Sequence, residues 1–349
     1  MVCIPPDTPW LPGSPEAGRN VLRASLLRDD IQVVAINHTC ASTQDVISLL
    51  KHDSTHGPLQ RLLPGHRIIN ILPNGNITID SQEIQLLSER DATKIRWSKL
   101  GVDYVAECTG KFRTTALASL HITHGHAKRV LISAPSPDAP TFVYKVNTDE
   151  YPDYAAAKVF SCASCTTNCL APILQVIDST FGVTQALMTT VHASTQSQHV
   201  LDGYSAKSRR AGRSMMGNII PTSTGAAAAI SRVLPQLRGK VSGISVRVPT
   251  TNVSMVDLTV ATEQATTIGE LMEAFRAGAS RGLEGVLSVE DEELVSCDFL
   301  GRSASAIIDV EASKQLNERF FKVIAWYDNE WAYSCRLLDM LAFMAREDS

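Results

Sequence analysis

Apolar positions in the first half of the chain fall in short unbroken runs, the pattern of strands covered on both faces. IQVVAINH at 31–38 is one such run, and STQDVISLLKHD behind it has helical spacing with Ser42 or Thr43 available as a cap. GVDYVAECTG at 101–110 and AKRVLISAP at 127–135 repeat the form with helical stretches between them, which predicts a parallel α/β sheet. Residues 66–87 break this rhythm, because Asn74-Gly75 between β-branched runs predicts a hairpin insertion.

After residue 165 the pattern changes to longer, β-rich segments: QALMTTVHAS, KVSGISVRVPT, VSMVDLTVA, SASAIIDVE and FFKVIAWYD. One helical stretch, ATTIGELMEAFRAGAS, is interleaved with them, so the second half reads as an α+β domain built on a large mixed sheet. The final EWAYSCRLLDMLAFMARE has helical spacing and is expected to pack back on the first half.

Length and composition narrow the picture. At 349 residues, with 44% hydrophobic and 19% charged side chains, the chain suits two domains with cores of their own. A balance of 32 basic against 36 acidic residues, a net charge of −4, gives no reason to expect a nucleic-acid partner or an acidic membrane surface. No apolar run approaches the roughly 18 residues of a membrane span. The eight cysteines are too sparse for a disulfide framework, and residues 1–18 carry prolines where a signal peptide has a basic start and an apolar run, so the reducing cytoplasm is the expected compartment. Prolines at 5, 6, 9 and 12 also leave no credible central strand there, and the opening reads as an irregular tail before a helix, with Gly13 and Gly18 flanking Pro15.

The sharpest chemical signal is SCASCTTNCLAP at 161–172. Cys162, Cys165 and Cys169 have no second cysteine pair to complete a metal site, so none is expected. CTTN before an apolar stretch instead puts Cys165 in the first turn of a helix, where exposed N–H groups favour a thiolate, while Cys169 falls deeper on the same face. His192 ends the run ALMTTVH and is the natural acid–base partner. Hydroxyls and guanidiniums gather after it: Thr195 and Ser197, Arg209, Arg210 and Arg213, Ser223, Thr224 and Gly225 before a helix, and Arg247 inside an apolar strand, where it demands a paired anion.

Blocks of sequence carry a resemblance. HDSTHG at 52–57, ECTGKF at 107–112, ISAPSPDAP at 132–140, SCASCTTNCLAP, MTTVHAS at 188–194, NIIPTSTGAA at 218–227, VRVPTTNVSMVDL at 246–258, VSCDF at 295–299 and WYDNEWAYS at 326–334 occur in order. In these blocks the chain resembles phosphorylating glyceraldehyde-3-phosphate dehydrogenase from about Val34 to its C-terminus. The resemblance implies an α/β fold with a Rossmann-like NAD-binding domain over 1–164, with 1–18 atypical, and an α+β catalytic domain over 165–330. It leaves 331–349 as the returning helix. It further implies a homotetramer that oxidises glyceraldehyde 3-phosphate with NAD and inorganic phosphate through a cysteine thioester.

By residue, Cys165 resembles the nucleophile and His192 its acid–base partner. Thr195, Ser197 and Arg247 resemble the site for the substrate's own phosphate, and Ser164, Thr166, Arg210, Thr224 and Gly225 the pocket for the attacking phosphate. Asn329 resembles the side chain that holds the nicotinamide carboxamide, with Tyr333 nearby. Thr109, Gly110 and Ser133 resemble loops lining the cofactor, and Gly18 and Arg19 fall on its glycine-rich turn.

The departures are local. GSPEAGR at 13–19 stands where the family has Gly-Phe-Gly-Arg-Ile-Gly-Arg, so Pro15 and Glu16 oppose pyrophosphate binding. His38 replaces the carboxylate expected for the adenosine ribose, yet no Arg or Lys stands beside it, so NAD is retained as cofactor. The opening implies either a diverged member with altered cofactor binding or a wrongly assigned start on an otherwise complete enzyme. Erythrose 4-phosphate oxidation and a non-catalytic binding paralogue are the alternative functions.

Overall fold

The computed structural model describes residues 2–3, 15–62 and 68–349. The chain divides into two compact units: 1–141 with 152–162 and 337–349, and 142–151 with 163–336. Relative to the sequence expectation, residues 142–151 move to the second unit and only the later part of the last helix groups with the first.

The first unit is built on β1 (Val2–Cys3), β2 (Ala35–Asn37), β3 (Ile69–Ile71), β4 (Ile77–Ile79), β5 (Gln82–Leu87), β6 (Tyr104–Glu107), β7 (Arg129–Ile132) and β8 (Val159–Ser161). Their order is β3-β4-β5-β2-β1-β6-β7-β8, parallel from β5 onward. The six parallel strands thus run third, second, first, fourth, fifth, sixth, the doubly wound order whose switch point flanks the first strand. Helices α1 (Pro15–Ser25), α2 (Thr43–Lys51), α3 (Leu59–Leu62), α4 (Thr115–Ala118) and α5 (Leu120–Thr123) fill the crossovers.

Two expectations are corrected here. The central position is not lost: Val2 pairs with both Ile36 and Ala106, so a two-residue strand ahead of the prolines supplies it. Gly13 and the prolines at 5, 6, 9 and 12 lie outside the described residues. The insertion is also larger than a hairpin, since β3, β4 and β5 form an antiparallel meander whose last strand joins the parallel sheet. Gly75, at φ +86°, makes the first turn of that meander.

Apolar side chains fix this unit. Trp97, Val105, Val130 and Ile132 are at most 1% exposed in one cluster, each contributing ~1.5–3 kcal/mol by burial. Asp53 ties α1 to the loop after α2, accepting from Arg19 at 2.8 Å and lying 3.2 Å from the buried Arg23. Its own Oδ1 accepts the N–H groups of Thr55 and His56.

The second unit holds β9 (Val183–His192), β10 (Ile220–Thr222), β11 (Val241–Arg247), β12 (Ser254–Thr262), β13 (Leu287–Glu290), β14 (Ala306–Asn317) and β15 (Phe320–Tyr327). They form one mixed sheet in the order β10-β11-β9-β12-β15-β14-β13. Helices α6 (Cys165–Phe181), α7 (Ala226–Val233) and α8 (Ile268–Ser280) belong to it, and α9 (Trp331–Glu347) begins in it. Leu170, Ile173, Leu174 and Ile177 of α6 share a core with Val256, Leu258 and Val260 of β12, all fully buried. That packing sets the start of α6. A capping box between Thr267 and Glu270 starts α8. In the first unit, Asp348 at the end of α9 accepts from Arg129 at 2.7 Å and Tyr104 at 2.9 Å.

Candidate active site

Cys165 is the first residue of α6 and Ser164 its cap, with Ser164 Oγ accepting the Thr167 N–H at 3.1 Å. His192 is the last residue of β9, and Arg247, the last of β11, is its direct partner across the parallel ladder. Cys165 Sγ lies 3.6 Å from His192 Nε2. The sequence juxtaposition of a helix start and a strand end is therefore a physical pair.

Burial governs its charge. It pushes the Cys165 thiol above its ordinary value, against the opposing pull of the Arg247 cation and the N–H groups at the helix start. Burial, helped by repulsion from Arg247, pushes His192 down to about 3. Desolvation thus opposes the helix terminus, which by itself favours a thiolate. Arg247 meets no carboxylate among the described residues; its Nη1 contacts His192 Nδ1 at 2.6 Å and the Ala193 carbonyl at 3.0 Å.

Around the pair lies a frame in which Tyr327 and Ser254, two residues the sequence did not single out, meet Thr166 and Asn329. The Tyr327 hydroxyl meets Thr166 Oγ1 and Thr190 Oγ1, each at 2.9 Å, and its ring stands edge-on to His192 with centroids 6.0 Å apart. Ser254 accepts the Ala193 N–H at 3.1 Å and donates to Asn329 Oδ1 at 2.8 Å, orienting that amide. Tyr333 donates to the Ala163 carbonyl at 3.0 Å. Ser254 and Tyr327 are paired in the β12–β15 register, a signal carried by strand pairing and invisible in either segment alone.

Thr195 Oγ1 and Ser197 Oγ lie 3.1 Å apart in the loop that follows β9. Thr224 Oγ1 accepts the Ala226 N–H at 3.2 Å and Gly225 caps α7, whereas Arg210 is exposed on a short 3-10 turn. Thr166 spends its hydroxyl on Tyr327, leaving its backbone as what it offers a ligand. Among the described residues, no group of three or more His, Cys, Asp or Glu side chains is arranged to hold a metal.

In the first unit, His38, Thr109 with Gly110, and Ser133 follow β2, β6 and β7, at the carboxyl edge of the parallel sheet where dinucleotides bind. Glu107 Oε1 accepts the Thr109 N–H at 2.7 Å, while its Oε2 lies 2.9 Å from His121 Nε2; His121 Nδ1 accepts from Trp97 at 3.0 Å. Gly110, at φ +69°, turns the chain there. His38 Nδ1 accepts the Cys40 N–H at 3.1 Å and burial lowers its pKa, so the neutral ring carries its proton on Nε2. The Thr39 hydroxyl is buried without a partner among the described residues, a group suited to a ribose hydroxyl. These donors fit NAD. Gly18 is buried within α1, and Arg19 directs its guanidinium to Asp53, which makes it a fastening of that helix.

Comparisons with known proteins agree with this architecture. Residues 12–115 match the model for the glyceraldehyde 3-phosphate dehydrogenase NAD binding domain, and 164–329 that for the C-terminal domain. The chain is 46% identical over 330 residues to a cytosolic glyceraldehyde-3-phosphate dehydrogenase of Chlamydomonas reinhardtii, covering 95% of this chain and 94% of that protein. Glyceraldehyde-3-phosphate dehydrogenase 1 of Schizosaccharomyces pombe is 45% identical over 332 residues, 95% and 96% of the two chains. A chloroplastic glyceraldehyde-3-phosphate dehydrogenase of Arabidopsis thaliana is 45% identical over 328 residues, 94% of this chain and 76% of that one. With a doubly wound first unit, a mixed-sheet second unit and a cysteine–histidine pair where helix start meets strand end, the chain belongs to the glyceraldehyde-3-phosphate dehydrogenase family.

Proposed function

We propose that this chain oxidises D-glyceraldehyde 3-phosphate with NAD and inorganic phosphate to 1,3-bisphosphoglycerate, through a thioester on Cys165. The observation that carries the reading is the 3.6 Å approach of Cys165 Sγ to His192 Nε2 with Arg247 alongside.

The steps follow from the side chains. Cys165 sulfur adds to the aldehyde carbon as its proton passes to His192, which delivers it to the aldehyde oxygen, giving a thiohemiacetal. His192, neutral again, takes the hydroxyl proton of that adduct while the carbon gives up hydride, and the carbon–sulfur bond is left as a thioester. NAD, when bound, supplies the hydride acceptor. A phosphate oxygen then attacks the thioester carbon, the carbon–sulfur bond breaks, and Cys165 recovers a proton from His192. Arg247, Thr195 and Ser197 are assigned to the substrate phosphate; Ser164, Thr166, Arg210, Thr224 and Gly225 to the acceptor. Asn329, oriented by Ser254 and accompanied by Tyr333, is assigned to the nicotinamide carboxamide, and Gly18, His38, Thr109, Gly110 and Ser133 to the rest of the cofactor. Arg19 contributes by fixing α1.

We assign a homotetramer on the exposed apolar side chains: Leu187 and Ile244 stand 65% and 51% exposed on neighbouring strands, and Tyr204 84% exposed in the segment before β10. The cytoplasm is the favoured compartment, since the relative named cytosolic is matched over nearly its whole length.

Production of reduced nicotinamide by the full chain, with and without inorganic phosphate, tests the function. Sustained turnover that requires phosphate is expected; no reduction with glyceraldehyde 3-phosphate would contradict the reading, and faster reduction with erythrose 4-phosphate would reassign the substrate.

A further inference from the structure

In a doubly wound sheet the residue that closes the second parallel strand faces the adenosine ribose, where a carboxylate accepts from the 2′-hydroxyl and repels a 2′-phosphate. His38 holds that place here, directly after β2. It is 5% exposed, and because Nδ1 accepts the Cys40 N–H at 3.1 Å the neutral ring carries its proton on Nε2, which meets no partner among the described residues. Beside it the Thr39 hydroxyl is buried and likewise unpaired among the described residues, a cost that a ligand oxygen removes. An acceptor has thus been exchanged for two donors.

A cation joins them through the fold. β2 and β5 are parallel neighbours, and Asn37 locks onto Glu89 at their ends: its Nδ2 donates to the Glu89 carbonyl and its Oδ1 accepts the Glu89 N–H, each at 2.9 Å. This clamp sets Arg90, remote in sequence, at the same edge as His38 and Thr39. Arg90 is exposed and makes no ion pair among the described residues. The carboxylates of the adjoining turns are engaged: Asp45 with the Ser42 hydroxyl at 2.7 Å, Glu89 with the Asp91 N–H at 2.9 Å, and Asp91 with the Thr93 N–H at 3.0 Å. A neutral N–H, a hydroxyl and a guanidinium form a donor set for a phosphate dianion, with the strongest bond from the guanidinium. We propose that this edge receives a 2′-phosphate, so that the chain takes NADP as well as NAD, with His38, Thr39 and Arg90 as the donors.

The inference rests on the assignment of the dinucleotide to this edge of the first unit. NAD is kept because the same His38 N–H and Thr39 hydroxyl can donate to a ribose hydroxyl oxygen. Both dinucleotides carry the same nicotinamide, so the choice alters which coenzyme receives the hydride and leaves the chemistry at Cys165 as it is.

The test is calorimetric titration of the full chain with NAD and with NADP at one ionic strength. NADP is expected to bind within about tenfold of NAD, and weaker binding than that overturns the proposal. Arg90→Ala is expected to weaken NADP by at least roughly tenfold, the scale of one hydrogen bond to a charged group, and to leave NAD unchanged. His38→Asp is expected to weaken NADP at least as much and to tighten NAD. Losses shared equally by the two dinucleotides make these residues structural and overturn the proposal. Should a variant not fold, competition in the native chain decides: 2′,5′-ADP displacing NADP at least as well as 5′-AMP supports the site, and poorer displacement overturns it. A chain that binds neither dinucleotide refutes the cofactor assignment itself, whereas tight NAD binding with NADP excluded refutes the 2′-phosphate site alone.

Discussion

Tyr333 donates its hydroxyl to the carbonyl of Ala163, and Ala163 is held at φ +56°, a left-handed conformation that a side-chain-bearing residue rarely adopts. The turn lies two residues before Cys165, so the bond stabilises the bend that presents the sulfur. Tyr333→Phe removes that donor with little change in volume. It is expected to lower stability by about 1 kcal/mol and to slow alkylation of Cys165. The urea midpoint and the labelling rate, measured on the same preparation, check both.

The pH dependence of Cys165 follows from its surroundings. The thiolate is the reactive form, and burial raises the thiol above its ordinary value of 9.0 while His192 falls to about 3. Without phosphate or phosphite, labelling by iodoacetamide should therefore keep rising as pH increases through the mildly alkaline range. A rate already at its plateau in mild acid would instead reveal a resting ion pair.

Arg247→Ala removes both the anchor for the substrate phosphate and the donor on His192. Its kcat/KM for glyceraldehyde 3-phosphate should fall by the equivalent of about 1.5–3 kcal/mol, while that for glyceraldehyde stays level or rises. Equal losses on the two aldehydes would make Arg247 purely structural.

Asp53 lies between Arg19 and the buried Arg23, and its hydrogen bonds from His56 and Thr55, with the charge of Arg19, hold its carboxyl well below the ordinary range despite burial. Its ionised form stabilises the fold above the unfolded carboxylate pKa of about 3.9, and that stabilisation is lost as pH falls below it. Asp53→Asn leaves Arg23 without this partner and should cost about 3 kcal/mol near neutrality, the difference shrinking in acid. Denaturant midpoints at both pH values provide the check.

The sequence was most informative where local pattern and chemistry coincide. Cys165 and His192 were legible because one opens a helix and the other ends an apolar strand. The roles of Tyr327 and Ser254 were not, because each depends on the β12–β15 register and on a partner in another element. The desolvation that opposes the charged forms of this pair was out of reach for a related reason: a helix start is visible in sequence, whereas the depth at which the sulfur is buried is not. At the start, counting prolines missed that two residues ahead of them suffice to bridge β2 and β6.

That short central strand makes a further prediction. Replacing residues 1–19 with a family-like strand and glycine-rich turn should lengthen β1, remove Pro15 and Glu16 and strengthen NAD binding at least about tenfold, or 1.4 kcal/mol. Calorimetric titration of both chains with NAD measures it, and equal affinities would mean that the present opening is tolerated.

In the proposed reaction Cys165 carries the acyl group and inorganic phosphate removes it. Mass spectrometry of the full chain, mixed with NAD and glyceraldehyde 3-phosphate in phosphate-free buffer and quenched in acid, tests this most directly. A phosphoglyceroyl mass increment is expected on the peptide containing Cys165, disappearing when phosphate is added before the quench. An increment on another cysteine, or none at Cys165 while NAD is reduced, would contradict it.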